Sequence, residues 1–251
     1  MLFRAHTYCI PQEPHSRGVI MDEQENDWKI IESSGYRLQG RKVPVVYQLL
    51  SNDAVDTAAE LYAEVFLNDE PMTCRHRIDP VDFLPYAREY LRFCADQQLS
   101  FIAVEQETHE IAGFALGSDL STEWESVGPG IITLLSFFRE SMVILGEVEH
   151  KCVELREIQI GTVFHIFQLG VRREFRGNGI ATGLIHCILA HAKRRGFGKV
   201  VVDCTGPVSR HTCERCGFVE TAYIAYDDFH IDGKAFFHGI PGGISLMIRE
   251  I

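Results

Sequence analysis

The sequence predicts an α/β protein, a mixed sheet flanked by helices. Three observations carry that expectation. Short runs rich in Val and Ile, such as VPVVYQLL and KVVVD, recur along the chain. Longer segments between them repeat their apolar residues at helical spacing. And a glycine-rich stretch, REFRGNGIATG, stands where the apolar run Val163–Val171 hands over to a helical pattern.

The elements follow in order. Residues 1–42 are polar and mixed, without a sustained period, which predicts an irregular extension ahead of a domain spanning 43–251. Val43–Leu50 reads as a strand with Pro44 near its start, where proline is tolerated. Asn52 or Asp53 is placed to cap a helix carrying Val55, Ala58, Ala59, Tyr62, Val65 and Phe66 on one face, and Pro71 cannot continue it. Asp79 followed by Pro80 opens a second helix reaching about Gln98, with Pro85 disturbing its first turn. Phe101–Glu105 and Ile111–Gly117 read as a hairpin, and Ile131–Glu149 as one helix. Then come strand Val163–Val171, helix Gly179–Arg195 stopped by Gly196, and strand Lys199–Asp203. A short helix, Val208–Cys216, is stopped by Gly217, and the strands Ala222–Tyr226 and Gly243–Arg249 close the order.

A hydrophobic share of 46% against a charged share of 24% fits a globular chain rather than a disordered one. No apolar run approaches the roughly 18 residues of a membrane span. The segment MLFRAHTYCIPQEP lacks the apolar stretch of a secretory signal, and the 8 cysteines have no framework spacing. A cytoplasmic protein with reduced thiols is therefore expected. A net charge of −11 argues against nonspecific nucleic-acid binding. Against that background Arg172, Arg173, Arg176, Lys193, Arg194, Arg195 and Lys199 share a segment whose sole acid is Glu174. Lys193–Arg195 suit the C-terminal dipole of their helix. Arg172–Arg176 point instead to a confined polyanion site.

A helix N-terminus entered through glycines brings backbone N–H groups close to an anion. One reading is a dinucleotide fold: Gly177-x-Gly179 opens a helix, and Asp203 ends the next strand about 20 residues on. Two details weaken it. The third glycine falls at Gly183, one position late, and Arg172–Arg176 separate the strand from the first glycine. A nucleotide-triphosphate loop lacks its Gly-Lys-Ser/Thr ending. The third reading is coenzyme A.

For that reading Arg176-Gly177-Asn178-Gly179-Ile180-Ala181 resembles the Arg/Gln-x-x-Gly-x-Gly/Ala signature of the GNAT acetyltransferase superfamily, and Gly217-Phe218 resembles its second element. VFLNDEPMT, VRREFRGNGIATGL and CTGPVSRHTCERCGF together look like insect-type arylalkylamine N-acetyltransferases, from about Val43 to Ile251. The resemblance implies a GNAT fold and a soluble enzyme moving acetyl from acetyl-CoA to a small-molecule primary amine, an arylalkylamine or a polyamine-like acceptor. It implies pyrophosphate contacts at Arg176, Gly177, Asn178, Gly179, Ile180, Ala181 and Thr182, and a pantetheine arm held by the main chain of Leu169, Gly170 and Val171. Glu70 takes the place of the proposed base, and Thr205 and Ser209 those of two catalytic hydroxyl residues, Thr205 departing from the usual serine. Cys213 occupies the position where many relatives carry an acidic tyrosine. A thiol near pKa 8.5 is a tolerable leaving group without such an acid.

No metal is expected. Cys213-Glu214-Arg215-Cys216 lacks a second ligand pair, and the 11 histidines form no convincing ligand spacing; His165 reads as a packing residue. A catalytically idle CoA-binding module and a dinucleotide-dependent oxidoreductase remain as alternatives.

Overall fold

The computed structural model describes residues 33–38, 41–152, 155 and 158–251. Among the described residues eight strands form one sheet: β1 (Ser33–Leu38), β2 (Arg41–Leu49), β3 (Phe101–Glu105), β4 (Ile111–Asp119), β5 (Val163–Val171), β6 (Lys199–Cys204), β7 (Val219–Ala225) and β8 (Gly243–Glu250). Their spatial order is β1-β2-β3-β4-β5-β6-β8-β7. Every neighbouring pair is antiparallel except β5 and β6. That single parallel pair rules out the doubly wound parallel sheet on which the dinucleotide reading depends. The irregular extension expected over 1–42 needs correction at Ser33–Leu38, which is a strand paired with β2. Residues 1–32, 39 and 40 lie outside the described residues.

Eight α-helices are found among the described residues: α1 (Val55–Asp69), α2 (Thr73–His76), α3 (Pro80–Gln97), α4 (Trp124–Val127), α5 (Pro129–Ser136), α6 (Arg139–Lys151), α7 (Ile180–Arg194) and α8 (Pro207–Arg215). α1 follows a 3₁₀ turn over Asn52–Ala54 and has no side-chain cap; the Asn52 amide instead donates to Asp96 at 3.0 Å. α3 begins as its sequence predicts, with the Asp79 carboxylate accepting the Val81 N–H at 2.8 Å, and it runs through Pro85.

The single helix expected over Ile131–Glu149 is broken. Phe137 and Phe138 interrupt it, and Phe138 leaves helical geometry at φ −115° and ψ 29°. Its ring packs edge-on against Phe66 and Phe83, at centroid separations of 5.3 and 5.8 Å. Aromatic burial of this kind outweighs the loss of helical continuity.

Two opposite faces hold the apolar core. On one, α7 and α8 cover Val45, Tyr47, Phe101, Ala115, Ile166, Val200 and Val202. Gly183 of α7 has a packing role there, since an added Cβ would collide with the Tyr47 ring. On the other face α1, α3 and α5 bury Phe114 and Leu116, and α6 covers Val201, Leu246 and Ile248.

β5 divides its side chains between these faces by an irregularity. Leu116 stands opposite Gln168 and Gly117 opposite Ile166, so Phe167 is an extra, bulged residue. Beyond the bulge Leu169 and Val171 pack toward α7, while Gln168 sits on the α1–α3 face, accepting a 2.6 Å hydrogen bond from the Tyr90 hydroxyl. Bulges sharpen local twist. The last β5–β6 pair is Ile166 with Val202; from Phe167 onward β5 has no β6 partner, and the two strands part.

Candidate active site

A cavity of about 700 Å³ runs through that fork. At one end it is walled by the β5–α7 junction and α8, at the other by α1, α3, α5 and α6. The volume falls within the range of small-molecule sites.

The junction end is built around a glycine turn and the start of α7. A 3₁₀ turn at Arg173–Phe175 leads to Gly177 and Gly179, with φ of +76° and +80°. Residues with a Cβ rarely adopt that region, so glycine is required by conformation here. Gly179 flanks the first residue of α7, whose leading N–H groups lack helical partners. Leu169, Gly170, Val171, Arg176, Gly177, Gly179, Ile180, Ala181 and Thr182 all line the cavity. Asn178 is outside that lining. Its amide donates to the Phe175 and Arg176 carbonyls at 3.0 and 2.9 Å and so shapes the loop. Gly170 is a glycine for packing, because a Cβ there would strike the Phe114 ring.

The arginines are more engaged than the charge pattern predicts. Arg172 pairs with Glu64 at 3.6 Å. Arg173 and Arg176 both bind Asp69, at 2.7 and 2.6 Å, and Arg176 also donates to the Val171 carbonyl. Burial works against the charge of Asp69, but the hydrogen bonds from both arginines outweigh it and hold its carboxyl below the ordinary value. These cations therefore latch the end of α1 to the loop. Among the cavity-lining residues Arg215 adds a further cation.

The backbone along Phe167–Val171 fits a pantetheine arm, because its β6-facing edge has no strand partner. The glycine turn and the start of α7 fit a pyrophosphate. These residues of this chain would hold coenzyme A, which supplies the activated acetyl thioester.

The opposite end is made of side chains. Tyr62, Phe66, Tyr90, Trp124, Phe138 and Phe167 form its aromatic wall. Burial pushes the Tyr62 and Tyr90 phenols well up, so both stay protonated. Sequence reasoning treated Tyr62 and Phe66 as core; their helical spacing gives no sign that the same face also borders a cavity.

Glu70 lies immediately after α1 and borders the cavity. Its Oε1 accepts the Met72 N–H at 3.1 Å and its Oε2 the Thr73 N–H at 2.5 Å, so the carboxylate is fixed in place. Thr205 and Ser209 line the same cavity from the β6–α8 connection. The Thr205 carbonyl accepts from the Tyr226 hydroxyl at 2.8 Å, and the Ser209 hydroxyl donates to the Gly206 carbonyl at 2.9 Å. The fold thus brings Glu70, Thr205 and Ser209 to one chamber from distant parts of the chain.

Cys213 and Cys216 are buried in the core beside α7. A hydrogen bond with Cys213, followed by burial, pushes the Cys204 thiol far up, so Cys204 stays a neutral thiol. His165, read as a packing residue, is buried but bound: its Nε2 lies 2.8 Å from Asp203 Oδ2, both side chains at most 5% exposed. Burial disfavours charge on His165, yet the Asp203 hydrogen bond and charge outweigh it and raise its pKa. Asp203 Oδ1 has no hydrogen-bond partner among the described residues, and Asp203 borders the cavity. The sequence placed Asp203 in the dinucleotide fingerprint; in the fold it belongs to this buried pair.

The comparisons agree with this architecture. The C-terminal condensation domain of Ebony, in complex with beta-alanyl-dopamine, superposes with a TM-score of 0.69 at 16% identity, over 83% of this chain and 100% of that one. Arylalkylamine N-acetyltransferase 2 from Aedes aegypti gives a TM-score of 0.67 at 22% identity, over 82% and 99% of the two chains. The polyamine N-acetyltransferase of Drosophila melanogaster, which forms N-acetylagmatine, gives 0.62 at 16% identity, over 82% and 100%. No curated protein matches the chain in sequence. The model of the acetyltransferase (GNAT) family matches residues 64–218. That match takes in more than half of the sequence, including the glycine turn and every residue lining the chamber except Tyr62, and the chain belongs to the GNAT family of acetyltransferases.

Proposed function

We propose that this protein transfers the acetyl group of acetyl-CoA to a small primary amine, an arylalkylamine or a polyamine-like acceptor. The observation that carries the reading is the continuous cavity. It joins an anion site at the glycine turn to an aromatic chamber bearing a fixed carboxylate, through the fork where β5 and β6 separate. The catalytic unit is residues 43–251, with β1 added to its sheet edge.

Transfer is direct, within a ternary complex. Gly177–Thr182 and Arg176 hold the pyrophosphate end, and the main chain of Leu169–Val171 aligns the pantetheine arm. The aromatic wall receives the organic part of the acceptor, and Glu70 faces its nitrogen. The nitrogen attacks the thioester carbon, the C–S bond breaks, and the thiolate leaves. Glu70, directly or through water, accepts one N–H proton of the amine. Thr205 and Ser209 offer hydroxyl groups near the departing sulfur. The resemblance to insect-type arylalkylamine N-acetyltransferases supports these roles, as do the positions of the three side chains on one cavity.

The test is release of CoA thiol from acetyl-CoA across a panel of arylalkylamines, polyamines, amino acids and peptides. Amine-dependent release with small primary amines is the expected result. Tight acetyl-CoA binding without thiol release for any amine would mark an idle CoA-binding module and overturn the enzyme assignment.

A further inference from the structure

Two N–H protons leave the acceptor nitrogen in each turnover of an ammonium substrate. One ends on the CoA thiol and the other in solvent. Glu70 accounts for one of these transfers. In the wall of the same chamber lies a second polar group, a serine bound to a buried histidine.

Ser141, near the start of α6, is 5% exposed and lines the acceptor end of the cavity. Its Oγ lies 2.8 Å from Nε2 of His76, the last residue of α2. On the other side of the ring, Nδ1 is 3.7 Å from the Glu140 carboxylate. The imidazole is gripped by two aromatic rings, Phe138 at 5.6 Å and Phe236 at 5.2 Å between centroids. The His76 side chain is 5% exposed, whereas Glu140 is 31% exposed. Three groups thus form a line from the cavity to the surface.

Resting on the acetyltransferase reading, we propose that Ser141 and His76 form a proton relay that takes the acceptor's ammonium proton and delivers it toward solvent past Glu140. Ser141 touches the acceptor, and His76 acts through Ser141. The ammonium N–H bond breaks and its proton binds Ser141 Oγ, while the Ser141 hydroxyl proton passes to His76 Nε2. The nitrogen keeps the electron pair and attacks the thioester carbon. The imidazolium gives up its Nδ1 proton on the Glu140 side, which leaves the Nε2–H tautomer; after product leaves, Nδ1 takes a proton from the Glu140 side and Nε2 returns one through Ser141 to water in the emptied chamber, which restores the resting pair. Glu70 then handles the second N–H proton, the one that ends on sulfur.

The electrostatics suit this role. Burial lowers the His76 pKa, and the carboxylates of Glu140, on α6, and Glu70, ahead of α2, act in the opposite sense without cancelling it. His76 is therefore neutral at neutral pH, with a lone pair free to accept. The same two carboxylates stabilise the imidazolium that forms. An ordinary imidazole holds a proton about a hundredfold more tightly than an ordinary carboxylate. Burial works against that advantage, and the Glu140 and Glu70 carboxylates work for it.

The experiment is kcat/KM for the best amine against pH, in wild type, Ser141→Ala, His76→Gln and Glu70→Gln, with acetyl-CoA affinity measured in each. Ser141→Ala and His76→Gln should lose roughly tenfold to a hundredfold at pH 7 with unchanged acetyl-CoA affinity. That loss should shrink as pH rises toward the amine's own pKa, because the substrate then arrives deprotonated. The wild-type profile should fall at low pH with an apparent pKa below the ordinary imidazole value, and His76→Gln should lose that fall. Should His76→Gln prove unfolded, Ser141→Ala removes only one oxygen and carries the same test. Wild-type rates in folded Ser141→Ala, or an unchanged acid limb in folded His76→Gln, overturn the relay while leaving acetyl transfer intact. A wild-type protein that releases no thiol with any amine sinks the acetyltransferase reading, and the relay falls with it.

Discussion

The two ends of the cavity are built by opposite means. At the junction end the surface comes from a single loop and helix start, Leu169–Val171, Phe175–Gly177 and Gly179–Thr182, with α8 beside them. At the other end the lining residues come from α1, α2, α3, α4, α5, α6, β5 and β6. The polyanion site depends on where the main chain turns and the acceptor chamber on how helices pack. Damage should therefore differ in kind. A change at the first end alters cofactor affinity and leaves the fold standing. A change at the second alters turnover, stability or both.

Glu70→Gln should give the largest effect. Loss of a general base costs on the order of 100- to 10,000-fold in rate. Acetyl-CoA affinity should remain near wild type, and in contrast to the relay variants the loss should persist at high pH. Steady-state kinetics with titration calorimetry separate the two quantities. A parallel fall in acetyl-CoA affinity would show that the ends are not independent. Asp69, although adjacent, is no neutral control, since Asp69→Asn would loosen the latch formed with Arg173 and Arg176.

Asp203→Ala comes next and strikes stability. Removing one partner of a buried pair typically costs about 3–5 kcal/mol. The pH dependence has a definite sign. The His165 pKa is raised in the folded state, so its contribution is complete below the unfolded imidazole value and is lost as pH rises through the folded one. Urea unfolding across that window should show the decline in wild type and its absence in Asp203→Ala. A pH-independent difference between the two proteins would remove His165 from the account.

Gly179→Asp should weaken acetyl-CoA binding by about 100-fold or more, which is about 2.7 kcal/mol. It places a carboxylate at the helix N-terminus proposed to hold phosphate and adds a Cβ at φ +80°. Its folding penalty should stay near 1 kcal/mol. Calorimetry of binding and thermal unfolding test the pair of numbers. Unchanged affinity in a folded variant would sink the cofactor assignment.

The smallest change is Tyr90→Phe. It deletes the 2.6 Å hydrogen bond to Gln168 and leaves a buried amide oxygen without its donor. A loss of about 1–3 kcal/mol is expected in denaturant unfolding. Acetyl-CoA affinity should not move.

The same contrast explains what the sequence could and could not disclose. Gly177 and Gly179 reveal their purpose locally, because positive φ and a helix start leave marks within a few residues. The strands were legible from Val/Ile runs, and Asp79-Pro80 announced α3. The break at Phe137–Phe138 was not, because its cause is ring packing against Phe66 and Phe83, residues remote in sequence. Strict alternation along β5 would put His165, Phe167, Leu169 and Val171 on one face, and the bulge makes that count wrong beyond Ile166. His76, Ser141 and Asp203 carry no local signal at all. Their partners lie 65 residues away for His76 with Ser141 and 38 for His165 with Asp203. The arginines were legible as a cluster, but their ion pairs with Asp69 and Glu64 were not, because those two residues belong to α1.

The bulge at Phe167 also bears on how a chamber like this one can change by heredity. The bulged residue stands outside the pairing count, so a single codon gained or lost there changes the furniture of the chamber without reassigning any other side chain of β5. Gln168 would still face Tyr90, and Leu169 and Val171 would still lie toward α7. A codon lost elsewhere in the strand would invert every later position. The sheet has other irregular pairings, at Ala103/Val104 and Glu220/Ala222, but the one at Phe167 sets an aromatic ring in the chamber wall, so a one-residue change there reshapes the chamber in one step.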